Sequence, residues 1–199
     1  MLVMFGYGSK IAEAVRRRLD CRGEILENFR AALMDDPPLD SERYLFCAGV
    51  LVGRPITEMY SDQVLSMLDV NFASVVRACE MILNANSKAR ICVVGSESGV
   101  YGSFDRVYAG SKAALHNYIE TRRVAVEQQL VCISPSIVSD AGMTLRRTDT
   151  LLAEREAEHP KGRFMTCEEV AREIVHVLYG SSLFLTNTVI HLHGGEVSR

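Results

Sequence analysis

The sequence predicts a single α/β domain, residues 1–199, built on a mainly parallel sheet. Short β-rich apolar runs alternate with amphipathic segments, the pattern of strand–helix–strand units. The runs are apolar throughout rather than at every second position, as strands covered on both faces are. A length of 199 residues, with 48% apolar and 24% charged side chains, suits one domain with a full core.

Residues 1–5 (MLVMF) are the first expected strand, and residues 9–19 carry the first crossover helix. Residues 24–29 (EILENF) are a weaker strand because of their polar content, and 29–35 suit a short helix. Asp35-Asp36-Pro37-Pro38 is the strongest break in the chain. Neither side of it is large enough to stand alone, so it reads as a loop inside the domain. Residues 43–47 (RYLFC), 90–94 (RICVV) and 130–134 (LVCIS) read as buried strands. Ser61 caps a helix over 61–84, whose apolar positions Val64, Leu68, Phe72, Val75, Cys79 and Ile82 form a 3.6-residue stripe. A second long helix covers 105–127. Thr166-Cys167-Glu168-Glu169 is a capping box opening a helix to about Tyr179. The last strand, 188–192 (TVIHL), ends at Gly194-Gly195.

Composition excludes several functions. A formal charge of −3 and a pI near 6.0 give no reason to expect nucleic acid or a membrane as partner. The basic runs Arg16-Arg17-Arg18 and Arg146-Arg147 read as helix surface. Cys21, Cys47, Cys79, Cys92, Cys132 and Cys167 are scattered, with no C-x-x-C and no metal-like clustering. Most lie in apolar runs, as free thiols of a reducing cytosol do. His191 and His193 lack a third ligand and read as strand residues, so no metal is expected. The first apolar run is short, interrupted by Gly6 and Gly8, and lacks a basic leader, so a cytoplasmic protein is expected.

Chemistry enters at two places. On a helix, Tyr108 and Lys112 lie one turn apart on one face. The Lys112 ammonium beneath the Tyr108 phenol would stabilise its anion and suit it to general acid–base work. Ser96, on a loop after a strand, brings a hydroxyl to the same point, giving a site for a carbonyl or alcohol oxygen. Gly6-Tyr7-Gly8-Ser9-Lys10-Ile11-Ala12 forms a tight strand-to-helix turn, which aims backbone N–H groups and a helix dipole at an anion such as a diphosphate. Taken alone, a Tyr/Lys pair is more often a solvated helix face.

In their order along the chain, these positions resemble the short-chain dehydrogenase/reductase family almost end to end. Gly6 to Ala12 looks like its T-G-x-x-x-G-x-G turn, and Cys47-Ala48-Gly49 looks like its N-N-A-G segment. Asp69-Val70-Asn71 matches the site of its catalytic asparagine. Gly95-Ser96 with Gly99 and Gly102 matches the serine loop, and Tyr108-x-x-x-Lys112 matches the active-site pair. Pro135-Ser136-Ile137 resembles P-G-x-I. Gly162-Arg163 with Glu168-Glu169-Val170-Ala171, then Thr186-Asn187 and Gly194-Gly195, match late segments.

The resemblance implies a Rossmann-type doubly wound parallel sheet in three layers and an NAD(P)-dependent oxidoreductase acting on a small polar carbonyl or alcohol. Tyr108 would be the general acid/base, and Lys112 would lower its pKa and hold the nicotinamide ribose. Ser96 would polarise the substrate oxygen, and Asn71 would hold a water beside Lys112. The dinucleotide would lie against Gly6, Gly8, Ser9, Lys10, Ile11, Ala48, Gly49, Tyr108, Lys112, Pro135 and Ile137. A homodimer or homotetramer through helices 61–84 and 105–127 would follow the family's assembly.

The departures fall on the cofactor end. Lys10 and Ala12 replace two glycines, Phe5 replaces the threonine, and Cys47 replaces an asparagine. Some forty residues separate Gly6 from Gly49, where members of the family usually carry another strand–helix unit, so the sheet is expected to lack one strand near the adenine pocket. Arg30 stands about where coenzyme choice is made and slightly favours NADP over NAD. The segment Ser139 to Arg163 would be the lid, with Met143, Leu145 and Leu151 toward the pocket and Arg146 or Arg147 toward a polar substrate. The rival reading is a catalytically silent relative that senses nucleotide or binds a subunit.

Overall fold

The structure, a computed structural model, describes residues 1–20, 26–29, 35–146 and 151–196. Among the described residues six strands form one sheet: β1 (Leu2–Phe5), β2 (Leu26–Phe29), β3 (Arg43–Phe46), β4 (Arg90–Val94), β5 (Gln129–Pro135) and β6 (Thr188–Leu192). Their order is β2-β1-β3-β4-β5-β6 and every neighbouring pair is parallel.

Successive side chains of a strand face opposite ways. Val3 and Phe5 therefore enter one core, and Leu2 and Met4 the other. The first core is closed by α3 (Ser74–Ala85) and α5 (Arg106–Thr121), through Val75, Cys79, Ile82, Leu115 and Ile119. The second is closed by α1 (Lys10–Asp20) and α8 (Cys167–Tyr179), through Val15, Leu19, Val170, Ile174 and Leu178. Helices on both faces make the sheet doubly wound and explain why its strands read as unbroken apolar runs. The Phe5 and Phe46 rings stack at 4.7 Å between centroids, tying β1 to β3. The remaining helices are α2 (Ser61–Leu68), α4 (Ser98–Tyr101), α6 (Gly142–Leu145) and α7 (Leu151–Glu158).

Beyond β1 the sheet has one described strand, β2, where the 3-2-1-4-5-6 order has two. The weak run at 24–29 does supply that strand, over Leu26–Phe29, in register with β1. The short helix expected at 29–35, Arg30, Cys21 and Arg147 lie outside the described residues.

Three helical expectations need correction. Ser61 is the first residue of α2 rather than its cap; the Tyr60 N–H before it donates to Gln63 Oε1 at 3.0 Å. The helix over 61–84 is interrupted by a π turn at Asp69–Ala73. The helix over 105–127 stops at Thr121, where Asn187 Nδ2 donates to the Ile119 carbonyl at 3.0 Å and satisfies an end-of-helix acceptor. The capping box at Thr166 forms as expected: Thr166 N–H donates to Glu169 Oε2 at 2.9 Å, and Glu169 N–H to Thr166 Oγ1 at 3.3 Å. Among the described residues no helix is long and apolar enough to cross a membrane.

Candidate active site

The C-terminal ends of β1, β3, β4 and β5 deliver the predicted residues to one edge of the sheet. Gly6 follows β1 with φ +76°, and a Cβ there would stand 2.5 Å from the Ala48 nitrogen. Only glycine lets the turn after β1 close onto the segment after β3. Ser9 Oγ accepts the Ala12 N–H at 3.1 Å and starts α1, while nothing lies within 4 Å of the Cβ position at Gly8. The start of α1 is thus a polar cradle with open space beside Gly8, and it fits a dinucleotide's diphosphate. Lys10 does not fill that space: its ammonium pairs with Glu13 at 3.1 Å on the helix surface. Ile11 is half-buried against the second core. The Cys47 thiol is hydrogen-bonded to Ser9, and burial pushes it up to about 12. Pro135 ends β5, its carbonyl accepting the Glu97 N–H at 3.0 Å, and Ile137 lies half-buried just beyond.

The catalytic candidates meet on the other side of the Ala48–Gly49 segment. Asp105 is fully buried and caps α5; one carboxylate oxygen accepts the Tyr108 N–H and the other the Gly53 N–H, both at 3.0 Å. This fixes the start of the helix that carries Tyr108 and Lys112. The Ser96 hydroxyl stands close enough to that of Tyr108 to pull its pKa down. Lys112, 3% exposed, donates from Nζ to the Val94 carbonyl at 3.0 Å, and Nζ lies 5.9 Å from the Tyr108 ring centroid.

Asn71 sits in the π turn, a local widening that recurs at functional sites. Its side chain is fully buried, with Oδ1 accepting the Val50 N–H and Nδ2 donating to the Val50 carbonyl, each at 2.8 Å. Each end of the amide makes one hydrogen bond to the loop after β3, which fixes the orientation of the side chain.

Burial dominates the electrostatics. It raises the Tyr108 phenol above its ordinary value of 10.0, with Asp105 adding and the Ser96 hydroxyl opposing. It pushes Lys112 down to about 8, against the pull of Cys132 and Cys47. Lys112 was expected to lower the phenol. Loss of solvation is the largest effect on the phenol in the free protein, and the phenol is held protonated.

Met67, Val107 and Tyr108 form a small apolar cluster with Val50, Leu51, Val52, Met59, Val64 and Met143. Of the expected lid residues, Met143 packs here and reaches within 3.4 Å of a Cβ position on Gly49. Leu145 is 66% exposed and Arg146 is exposed. The Leu151 side chain lies outside the described residues. Asp105, Glu97 and His116 were missed in the sequence. Asp105 could have been found as an N-cap three residues before Tyr108, and His116 as the next position on the Lys112 face; Glu97 carries no sequence signal. Among the described residues no three His, Cys, Asp or Glu side chains could hold a metal ion.

Residues 45–151 match the family model for short chain dehydrogenase. The chain is 26% identical over 178 residues to the 3-oxoacyl-[acyl-carrier-protein] reductase of Salmonella typhimurium, covering 86% of this chain and 70% of that one. It is 27% identical over 155 residues to the same-named protein of Chlamydia muridarum, spanning 62% of its length. In structure it superposes on the aldohexose dehydrogenase of Thermoplasma acidophilum with a TM-score of 0.82 at 17% identity, covering 98% of this chain and 92% of that one. The actinorhodin polyketide ketoreductase, solved with NADPH, gives 0.80 at 17% identity, covering 98% and 96%. The chain belongs to the short-chain dehydrogenase family, a family of oxidoreductases, as a shortened member with an altered glycine turn.

Proposed function

We propose that the protein is an NAD(P)-dependent oxidoreductase that interconverts a small polar carbonyl and its alcohol, with Tyr108 as general acid/base. The observation that carries this reading is the arrangement of half-buried Ser96 beside buried Tyr108 and Lys112 at the mouth of the sheet. The nicotinamide, when bound, supplies or accepts the hydride. Gly6, Gly8, Ser9 and the start of α1 would hold the diphosphate, and Ala48, Gly49, Pro135 and Ile137 would flank the path toward Tyr108. Ser96 and Tyr108 grip the substrate oxygen, and Tyr108 gives it a proton or takes one away. The apolar side chains around Tyr108, Val50 and Met143 among them, receive the rest of a small substrate. A phenol held protonated suits carbonyl reduction at neutral pH, while alcohol oxidation needs the phenolate and rises with pH.

NADP is slightly favoured over NAD on the strength of Arg30. We place the protein in the cytoplasm, as a homodimer or homotetramer through α2, α3 and α5. Tyr60, Leu65 and Leu68, at 72%, 65% and 40% exposure, give α2 a second apolar side that supports such an assembly.

The test is a titration with NADPH and NADH followed by nicotinamide fluorescence, then a carbonyl panel. Tyr108→Phe is expected to lower kcat at least 10²-fold with cofactor Kd within about twofold of wild type. Retained turnover would remove Tyr108 from this role. The shortened cofactor end favours one other reading, a silent nucleotide-sensing or subunit-binding relative. No binding of either nucleotide at millimolar concentration would select it.

A further inference from the structure

On the α5 face of the sheet, four polar side chains from different segments converge beside the serine loop. Ser134 and His191 are register partners on β5 and β6. His191 Nδ1 lies 2.7 Å from Glu97 Oε1, with the Glu97 side chain 5% exposed and that of His191 39%. The His116 ring meets the His191 ring edge-on at 6.2 Å between centroids. His116 Nε2 lies 2.6 Å from the Cβ position on Gly95, and its Cε1 3.0 Å from that on Gly99. Those two glycines leave the room the imidazole fills.

Glu97 Oε2, His116 Nε2 and Ser134 Oγ are buried with no hydrogen-bond partner among the described residues. Each such atom destabilises the fold if left unmatched. Three in one place fit a shared water, which both gives and accepts hydrogen bonds. At its inner end the cluster approaches Lys112, whose charge acts on His116. Lys112 Nζ is bonded to the Val94 carbonyl, and His116, one turn further along α5, lies against the next residue, Gly95.

We propose that Glu97, His116, Ser134 and His191, with the water they hold, form a proton path between Lys112 and solvent. The proposal rests on the function given above. In the direction of reduction, Tyr108 gives its proton to the carbonyl oxygen and is refilled from Lys112. Lys112 is refilled along the path, and His191 takes a proton from solvent. One proton enters per carbonyl reduced. The charged or titratable groups around His116 are Lys112, Glu97, His191 and Cys132, with His193 beyond at 6.4 Å from His191. Burial, with His191 next, brings His116 down to about 4. Its ring is therefore neutral at pH 7, able to accept at one nitrogen and release at the other.

Exchange of the Lys112 ammonium protons with water, read by nitrogen-edited NMR on the free protein, tests the path without turnover. His116→Leu is expected to slow it at least roughly tenfold, as are the milder His191→Gln and Glu97→Gln. Unchanged exchange in all three overturns the path. In steady-state reduction at low buffer, His191→Gln is expected to lose about tenfold in kcat, to keep its single-turnover rate, and to recover with added imidazole. A single-turnover rate that falls equally overturns the path, because the cluster would then be positioning Ser96. A wild-type protein that reduces no carbonyl removes the proposed function instead, and ammonium exchange still judges the path.

Discussion

Lys112 holds an ammonium group at 3% exposure, and its pKa of about 8 against an ordinary 10.5 makes that a stability statement. Between those values the unfolded chain binds a proton that the folded chain does not, so stability rises with pH across the window. Below about 8 both forms are charged and the full cost of burial applies. Lys112→Met is therefore expected to stabilise the fold at pH 7 by on the order of 3 kcal/mol, at about 1.4 per pKa unit. The gain should fade as pH approaches 10.5. Urea unfolding at pH 7 and pH 10 measures this, and equal gains at both would contradict it. Tyr108, Lys112 and Ser96 were legible in the sequence because a helical turn and a strand end fix their separations. The Glu97–His191 pair was not, since their meeting depends on β6 lying two strands from β4, which no local spacing records.

The π turn shows how an element can be legible while its phase is not. Each helical residue advances about 100°, so one extra residue rotates everything before it by that amount. The stripe from Val75 to Ile82 was placed correctly. Upstream of the turn, Met67 is fully buried instead of Leu68, which is 40% exposed. The rotation lets Asn71 face the loop after β3. Asn71→Ala removes both hydrogen bonds to Val50 and is expected to destabilise by about 2–4 kcal/mol. Asn71→Asp keeps the acceptor but buries a carboxylate against the Val50 carbonyl, and is expected to cost at least as much as alanine. Chemical denaturation of the pair checks the ranking. An alanine variant as stable as wild type would show that the clamp contributes nothing.

For the whole molecule, the doubly wound architecture followed from run length and apolarity, and the shortened side of the sheet followed from the spacing between Gly6 and Gly49. Coenzyme choice did not follow, because Arg30 is a single charge whose meaning depends on what faces it. With β2 the one described strand beyond β1, the adenosine half of a dinucleotide is expected to find little surface. Reduced nicotinamide mononucleotide is expected to bind within about tenfold of NADPH, a difference of about 1.4 kcal/mol. A gap of 10³ or more in Kd would show a full adenosine pocket. The same sheet edge also bears on timing. Affinity differences among related complexes lie mostly in dissociation rates, so a loosely held adenosine means spent coenzyme leaves quickly. Many dehydrogenases wait on that departure; here the hydride step itself would set the pace, and deuterium at the transferred position of the coenzyme would slow kcat by its full intrinsic effect.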